Sequence, residues 1–178
     1  MPRVNRRHLV DVFEHWLPDY PRGLAFSPDG RWLALGAADG TVQVLHAATG
    51  KVASTHHFPA EVSSLAFSSE GDALAVGCHD GAARLLDTST WAQRAELPSG
   101  SRAWVEHLAW SSTGVLAVAA GKKVRLWTSS GAPVLETQPH ESTITGVAFS
   151  RDGQRLFTSS YGGVRAWPLS DRAEAHHY

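Results

Sequence analysis

Cysteine is almost missing from this chain: Cys78 is the only one in 178 residues. A single thiol cannot close an internal disulfide and cannot alone build a cysteine-based zinc site. A surplus of one charge is missing too. Sixteen Lys and Arg stand against 17 Asp and Glu, a net charge of −1, so no global field draws the chain to nucleic acid or to an anionic membrane. No apolar run approaches the ~18 residues of a membrane helix. Arg3, Arg6 and Arg7 near the start are not followed by the apolar stretch of a signal peptide. These absences set the expectation of a cytoplasmic chain that engages neither nucleic acid nor membrane. Hydrophobic residues at 43% and charged ones at 19% give a globular chain rather than a disordered one. Tryptophan is in excess, with seven residues.

What is present is repetition. LAFSPDGRWLALGAADGTVQVL begins at Leu24, LAFSSEGDALAVGCHDGAARLL at Leu65, LAWSSTGVLAVAAGKKVRLW at Leu108 and VAFSRDGQRLFTSSYGGVRAW at Val147. The aromatic anchors Phe26, Phe67, Trp110 and Phe149 are spaced 41, 43 and 39 residues apart. Each unit divides into short strands at turn residues. In the first, Pro28-Asp29-Gly30 and Asp39-Gly40 separate Leu24–Ser27, Trp32–Leu35 and Thr41–Leu45, and Lys51–His57 supplies a fourth strand. Small residues fill the second strands (Ala34, Gly36, Ala75, Gly77, Ala117, Ala119), which suits sheets that crowd together near an axis. A four-stranded antiparallel sheet has two faces to cover, so the copies must stack. Radial stacking of such sheets is a β-propeller. A β-sandwich or closed barrel is the alternative, and neither requires four near-identical units.

The units resemble blades of the WD40-repeat family, with a phrase close to its bacterial-type members, from about Leu24 to the C-terminus. The family's turn aspartate matches Asp39 and Asp80, its third-strand tryptophan matches Trp127 and Trp167, and its histidine before the first strand matches His140. Family blades can join His, Ser/Thr, Asp and Trp in a buried hydrogen-bond network. No unit here has the whole set. Leu45 and Leu86 replace the tryptophan in units one and two, Phe58 lies near the histidine position, Lys122 stands at the aspartate in unit three and Tyr161 in unit four. The expectation is that the blades are held mostly by apolar packing.

The ends pose a separate question. Leu9–Trp16 reads as a strand ahead of unit one, and Ala173–Tyr178 as an outer strand of unit four. That is one strand too many for a closed ring of four, and family rings most often have more blades. The expected architecture is therefore all-β, an open partial propeller: residues 1–23 a tail with a candidate ring-closing strand, then four blades at about 24–61, 62–103, 104–143 and 144–178. A closed four-bladed ring is the alternative.

No catalytic motif appears. There is no G-x-S-x-G elbow, no P-loop spacing around Gly121-Lys122, and Ile144 stands where His140-Glu141 would need a second zinc histidine. The resemblance implies a non-catalytic scaffold that presents rim loops to a protein or peptide, with no cofactor and no metal. The rim residues expected to bind are Arg102, Trp104, His57, His79, His140 and Tyr161, because Trp and Arg are frequent interface anchors. Asp39 and Asp80 are expected in turns, and Trp110, Trp127 and Trp167 in the blade core. Three readings compete with this one: a metal-binding or enzymatic propeller in which His57, His79, His140 and Cys78 converge, self-association, and a half-propeller completed by another chain.

Overall fold

The computed structural model describes residues 12–169. Four antiparallel sheets follow one another, each with its strands in chain order. The first holds β1 (Pro21–Phe26), β2 (Trp32–Ala37), β3 (Thr41–His46) and β4 (Val52–His57). The second holds β5 (Val62–Phe67), β6 (Ala73–Cys78), β7 (Ala82–Asp87) and β8 (Gln93–Pro98). The third holds β9 (Val105–Trp110), β10 (Val115–Ala120), β11 (Lys123–Thr128) and β12 (Pro133–Glu136). The fourth holds β13 (Ile144–Phe149), β14 (Arg155–Ser160) and β15 (Gly163–Pro168). Residues 12–16 belong to no strand, so the described part of the expected N-terminal strand is not one. Leu9–Asp11 and Ala173–Tyr178 lie outside the described residues. No described helix is long and apolar enough to cross a membrane.

The turns explain why the strands end where they do. Asp39 Oδ1 accepts the Thr41 amide at 2.9 Å, and Asp80 Oδ1 accepts the Ala82 amide at 3.2 Å. Gly40 and Gly81 each follow with φ +87°, a conformation that costs a side-chain-bearing residue.

Each sheet has a leading face, turned to the sheet before it, and a trailing face, turned to the sheet after it. Three apolar clusters fill the junctions. Ala34, Val42 and Val44 of the first trailing face meet Val62, Phe67, Leu74 and Val76. Ala75, Ala83, Leu85 and Leu97 meet Val105, Leu116, Val118 and Trp127. Ala117, Ala119, Val124 and Leu126 meet Ile144 and Leu156. Glycine lets the sheets approach. A Cβ on Gly36 would lie 2.5 Å from Val62 Cγ1, and one on Gly77 would lie 2.8 Å from Val105 Cγ1.

Among the described residues, the two ends of this stack are uncovered. Phe67 is 9% exposed beneath the first sheet, whereas Phe26, at the same register one sheet earlier, is 57% exposed, and its neighbour Leu24 is 67% exposed. At the other end Val164, on the trailing face of β15, is 70% exposed. The architecture is an open arc of propeller blades.

Polar contacts supplement the apolar junctions more than expected. His140 is 3% exposed, its Nδ1 lies 3.0 Å from Ser160 Oγ, and its Nε2 lies 2.8 Å from Thr158 Oγ1. Trp167 Nε1 donates to the same Thr158 hydroxyl at 2.8 Å. The fourth blade thus builds a His–Thr–Trp network even with Tyr161 in the aspartate position. Trp127 is buried against the second sheet, but its Nε1 has no partner among the described residues. Trp110 is half-buried and donates to the Ala66 carbonyl at 3.1 Å, tying β9 back to β5.

Candidate interaction surface

The rim where the first strands begin carries exposed aromatic and charged side chains, Trp104, Tyr161, Arg22 and Arg102 among them. The connector from β8 to β9 is short and held by its own serines. The Ser99 amide donates to the Gly81 carbonyl at 2.9 Å, Ser99 Oγ donates to the Ser101 carbonyl at 3.0 Å, and the Ala103 amide donates to Ser101 Oγ at 3.2 Å. This loop delivers Trp104 to the rim, where its ring stacks on His79 with centroids 4.2 Å apart and planes 8° apart. Trp104 is 55% exposed. It is not core, and its outer face is open to solvent.

His79 is braced from the other side. Its amide donates to the Glu61 carbonyl at 3.0 Å, and its Nδ1 lies 3.4 Å from Glu61 Oε2. Glu61 Oε1 in turn pairs with Arg22 Nε at 2.5 Å. Arg22 (first sheet), Glu61 and His79 (second) and Trp104 (entering the third) therefore form one continuous strip across two junctions. A rigid aromatic flanked by a charge pair is the composition of a recognition anchor.

The other expected rim residues divide. Arg102 is exposed in the same loop as Trp104, and Tyr161 is almost wholly exposed, with its amide bonded to Ser142 Oγ at 3.0 Å. His57 is exposed at the end of β4 with Nδ1 3.2 Å from Thr41 Oγ1. His140 corrects the expectation. It is buried in the Thr158 and Trp167 network, because it occupies the connector position just before β13, where the chain turns inward. Burial first, and then the neighbouring Arg165, hold its imidazole below the usual histidine range, so it is neutral and structural rather than a contact residue.

Metal chemistry finds no geometry among the described residues: no three His, Cys, Asp or Glu side chains converge. Burial pushes the Cys78 thiol up to about 11, which keeps it protonated and a poor ligand.

Two residues of the strip were missed by sequence reasoning, Arg22 and Glu61, and so was the buried Arg84 next to it. Arg84 Nη2 donates to Asp80 Oδ2 at 2.6 Å, its Nε lies 3.4 Å from Glu96 Oε2, and its guanidinium sits 5.6 Å over the Phe58 ring. The available signal was register. Gln43, Arg84, Arg125 and Arg165 fall at one position in the four third strands.

The model of the WD40 domain of anaphase-promoting complex subunit 4 matches residues 2–61 and 54–113, and the WD domain, G-beta repeat, model matches residues 131–167. The first of these alone spans more than half of the chain. The chain belongs to the WD40-repeat family. It is 36% identical over 66 residues to meiotic fizzy-related protein 2 of Schizosaccharomyces pombe, a stretch that is 36% of this chain and 13% of that protein. In fold it is similar to two computationally designed proteins, each at 24% identity. Ika4 gives a TM-score of 0.78 over 92% of this chain and 99% of that one; Ika8 gives 0.74 over 84% of this chain and 46% of that one. WD40 repeats serve in general as protein-interaction scaffolds. The WD40 network of His, Ser/Thr and Trp is present here in the fourth blade, and the second blade substitutes Arg84 and Phe58 for it.

Proposed function

We propose that this chain is a non-catalytic, cytoplasmic interaction scaffold that presents the strip from Arg22 to Trp104 to a peptide segment of a protein partner. The observation that carries the reading is the half-exposed Trp104 ring, locked parallel to His79. Two braced rings lose little side-chain entropy on binding, so contact energy is retained. The mixed charge of Arg22 and Glu61 on the same strip suits a segment that offers an apolar or aromatic residue beside polar backbone. Arg102 and Tyr161 extend the surface on the loops beyond.

The test is selection of peptides from a displayed library on the 178-residue chain, followed by titration of the selected sequences. Trp104→Ala is expected to weaken binding by tenfold or more, and His79→Ala by severalfold, with circular dichroism unchanged. Selected peptides that bind Trp104→Ala and His79→Ala as tightly as the parent protein would overturn this reading.

A further inference from the structure

The corner that Arg84 closes in the second blade is left open in the third. In the second, Arg84 stands opposite Glu96 in register and also binds Asp80 of the turn His79-Asp80-Gly81, so one buried cation lies between two carboxylates. In the third, Arg125 stands opposite Glu136 in the same way and pairs with it. Its turn is one residue shorter, Gly121-Lys122, and has no acid. Lys123 follows and pairs with Glu136 as well. Glu136 is thus shared between Lys123 and Arg125, which hold its carboxyl below the usual range. Lys122 is exposed and, among the described residues, pairs with no carboxylate.

These groups face a cavity of about 510 Å³. One wall is the connector that carries Trp104, and the other is the Lys122 hairpin with the connector that enters β13. The two walls approach closely: a Cβ on Gly121 would lie 2.9 Å from the Cβ of Ala103, the residue before Trp104. The Arg125 guanidinium lies against the backbone of Gly100, where a Cβ would overlap it, and its Nη1 donates to the Pro98 carbonyl at 3.0 Å. Three cations and a single carboxylate therefore line the cavity, and the Ser101 and Thr143 hydroxyls add neutral donors. The next acid along the chain, Glu141, lines a different cavity beside Arg165. In a chain of net charge −1 this is a local positive field, and charge of one sign gathered in a recess attracts the other.

We propose that the cavity takes the carboxylates of an acidic stretch in the peptide that rests on Trp104. On the reading that the strip binds a peptide, the partner segment carries Asp or Glu beside its apolar or aromatic anchor. Trp104 supplies contact area, whereas Lys122 supplies sign, favouring acidic segments and repelling basic ones. The blade without the turn acid is the one that Trp104 leads into, so both features fall within reach of one short segment.

Peptides selected from a displayed library on the 178-residue chain test this. The selected sequences are expected to carry Asp or Glu beside the anchor residue, and that excess should vanish when the selection is repeated on Lys122→Glu. In titrations at low salt, Lys122→Glu should weaken a selected acidic peptide about tenfold and its Asn/Gln counterpart less than about twofold, and high salt should close most of the gap. Gly121 supplies the left-handed residue of the turn, with φ +58°, so position 122 takes either side chain without refolding the hairpin. Lys122→Gln, which removes the charge without reversing it, should cost about threefold. Peptides that weaken with Trp104→Ala but bind Lys122→Glu unchanged overturn the acidic assignment and leave the scaffold reading standing. Peptides that weaken with Lys122→Glu but not with Trp104→Ala overturn the Trp104 reading and leave the cavity with its anion. Selected sequences without an acidic excess overturn the proposal.

Discussion

The second and fourth blades fix the same corner with different chemistry. In the fourth, the neutral His140 bridges Ser160 and Thr158, and Thr158 also takes the Trp167 N–H. In the second, Phe58 holds the equivalent connector position, and the buried Arg84 binds Asp80 and Glu96 while lying over the Phe58 ring. The connector position is set by the backbone, since the Phe58 amide bonds the Gly40 carbonyl just as the His140 amide bonds the Lys122 carbonyl. In both of these blades the corner carries a polar link from the turn or the second strand to the third strand. Whether that link is an ion pair or a neutral network is left to the side chains, and the two choices respond differently to mutation and to pH.

Removing the charged link should have the largest effect. Arg84→Met is expected to cost about 3 kcal/mol in urea unfolding, because the two charge-assisted bonds to Asp80 and the guanidinium contact over the Phe58 ring are lost together. Burial pushes the Asp80 carboxyl up, but the Arg84 and Ala82 bonds outweigh it and leave Asp80 below the usual carboxylate range; that gain is lost with the arginine. Arg165→Met is the matched control. Arg165 is exposed and, among the described residues, makes one bond to a backbone carbonyl, so its loss should stay within about 0.5 kcal/mol. Equal costs at the two positions would remove the distinction between the blades.

The neutral link should break at its shared hydroxyl. Thr158→Val keeps the shape of the side chain but leaves His140 Nε2 and Trp167 Nε1 unpaired. The expected cost is about 2 kcal/mol, measured by the same unfolding curve. A smaller effect comes from pH. The folded His140 imidazole lies below its ordinary range, so the unfolded chain binds this proton more readily. Stability from this group is complete above about pH 6.5 and is lost as pH falls through that value toward the folded pKa. The wild-type urea midpoint should therefore drop more between pH 7.5 and 5.5 than that of His140→Gln, while Arg84 and Asp80 stay charged across the window.

Much of this was legible before the fold was known. Turn residues and the spacing of Phe26, Phe67, Trp110 and Phe149 gave the strands, because a hairpin turn needs specific φ values and those come from Asp-Gly and Pro-Asp-Gly sequences. His79 and Trp104 were both expected at the rim, but their stacking was not, since contact between blades depends on how the sheets are placed rather than on local pattern. His140 was misread for the same reason. An exposed loop histidine and a buried connector histidine look alike in sequence, and only Thr158 and Trp167, 18 and 27 residues later, distinguish them. Arg84 was passed over because a charged residue within a strand reads as solvent-facing until its partners Asp80 and Glu96 are seen to close over it.

The third blade shows what happens when neither link is complete. Trp127 has the family tryptophan, yet its Nε1 finds no partner among the described residues, because Val118 stands at the register of Thr158. Val118→Thr supplies the missing hydroxyl at an almost unchanged volume. The tryptophan N–H is already desolvated, so its cost is already borne by the folded state; the new bond should recover about 1 kcal/mol, less the burial of one hydroxyl. The expected outcome is a small rise in Tm, and the same substitution in a Trp127→Phe background should destabilise, since the hydroxyl would then be the orphan. If Val118→Thr lowers Tm in both backgrounds, the Trp–Thr bond of the fourth blade is a by-product of His140 rather than a transferable element of the corner.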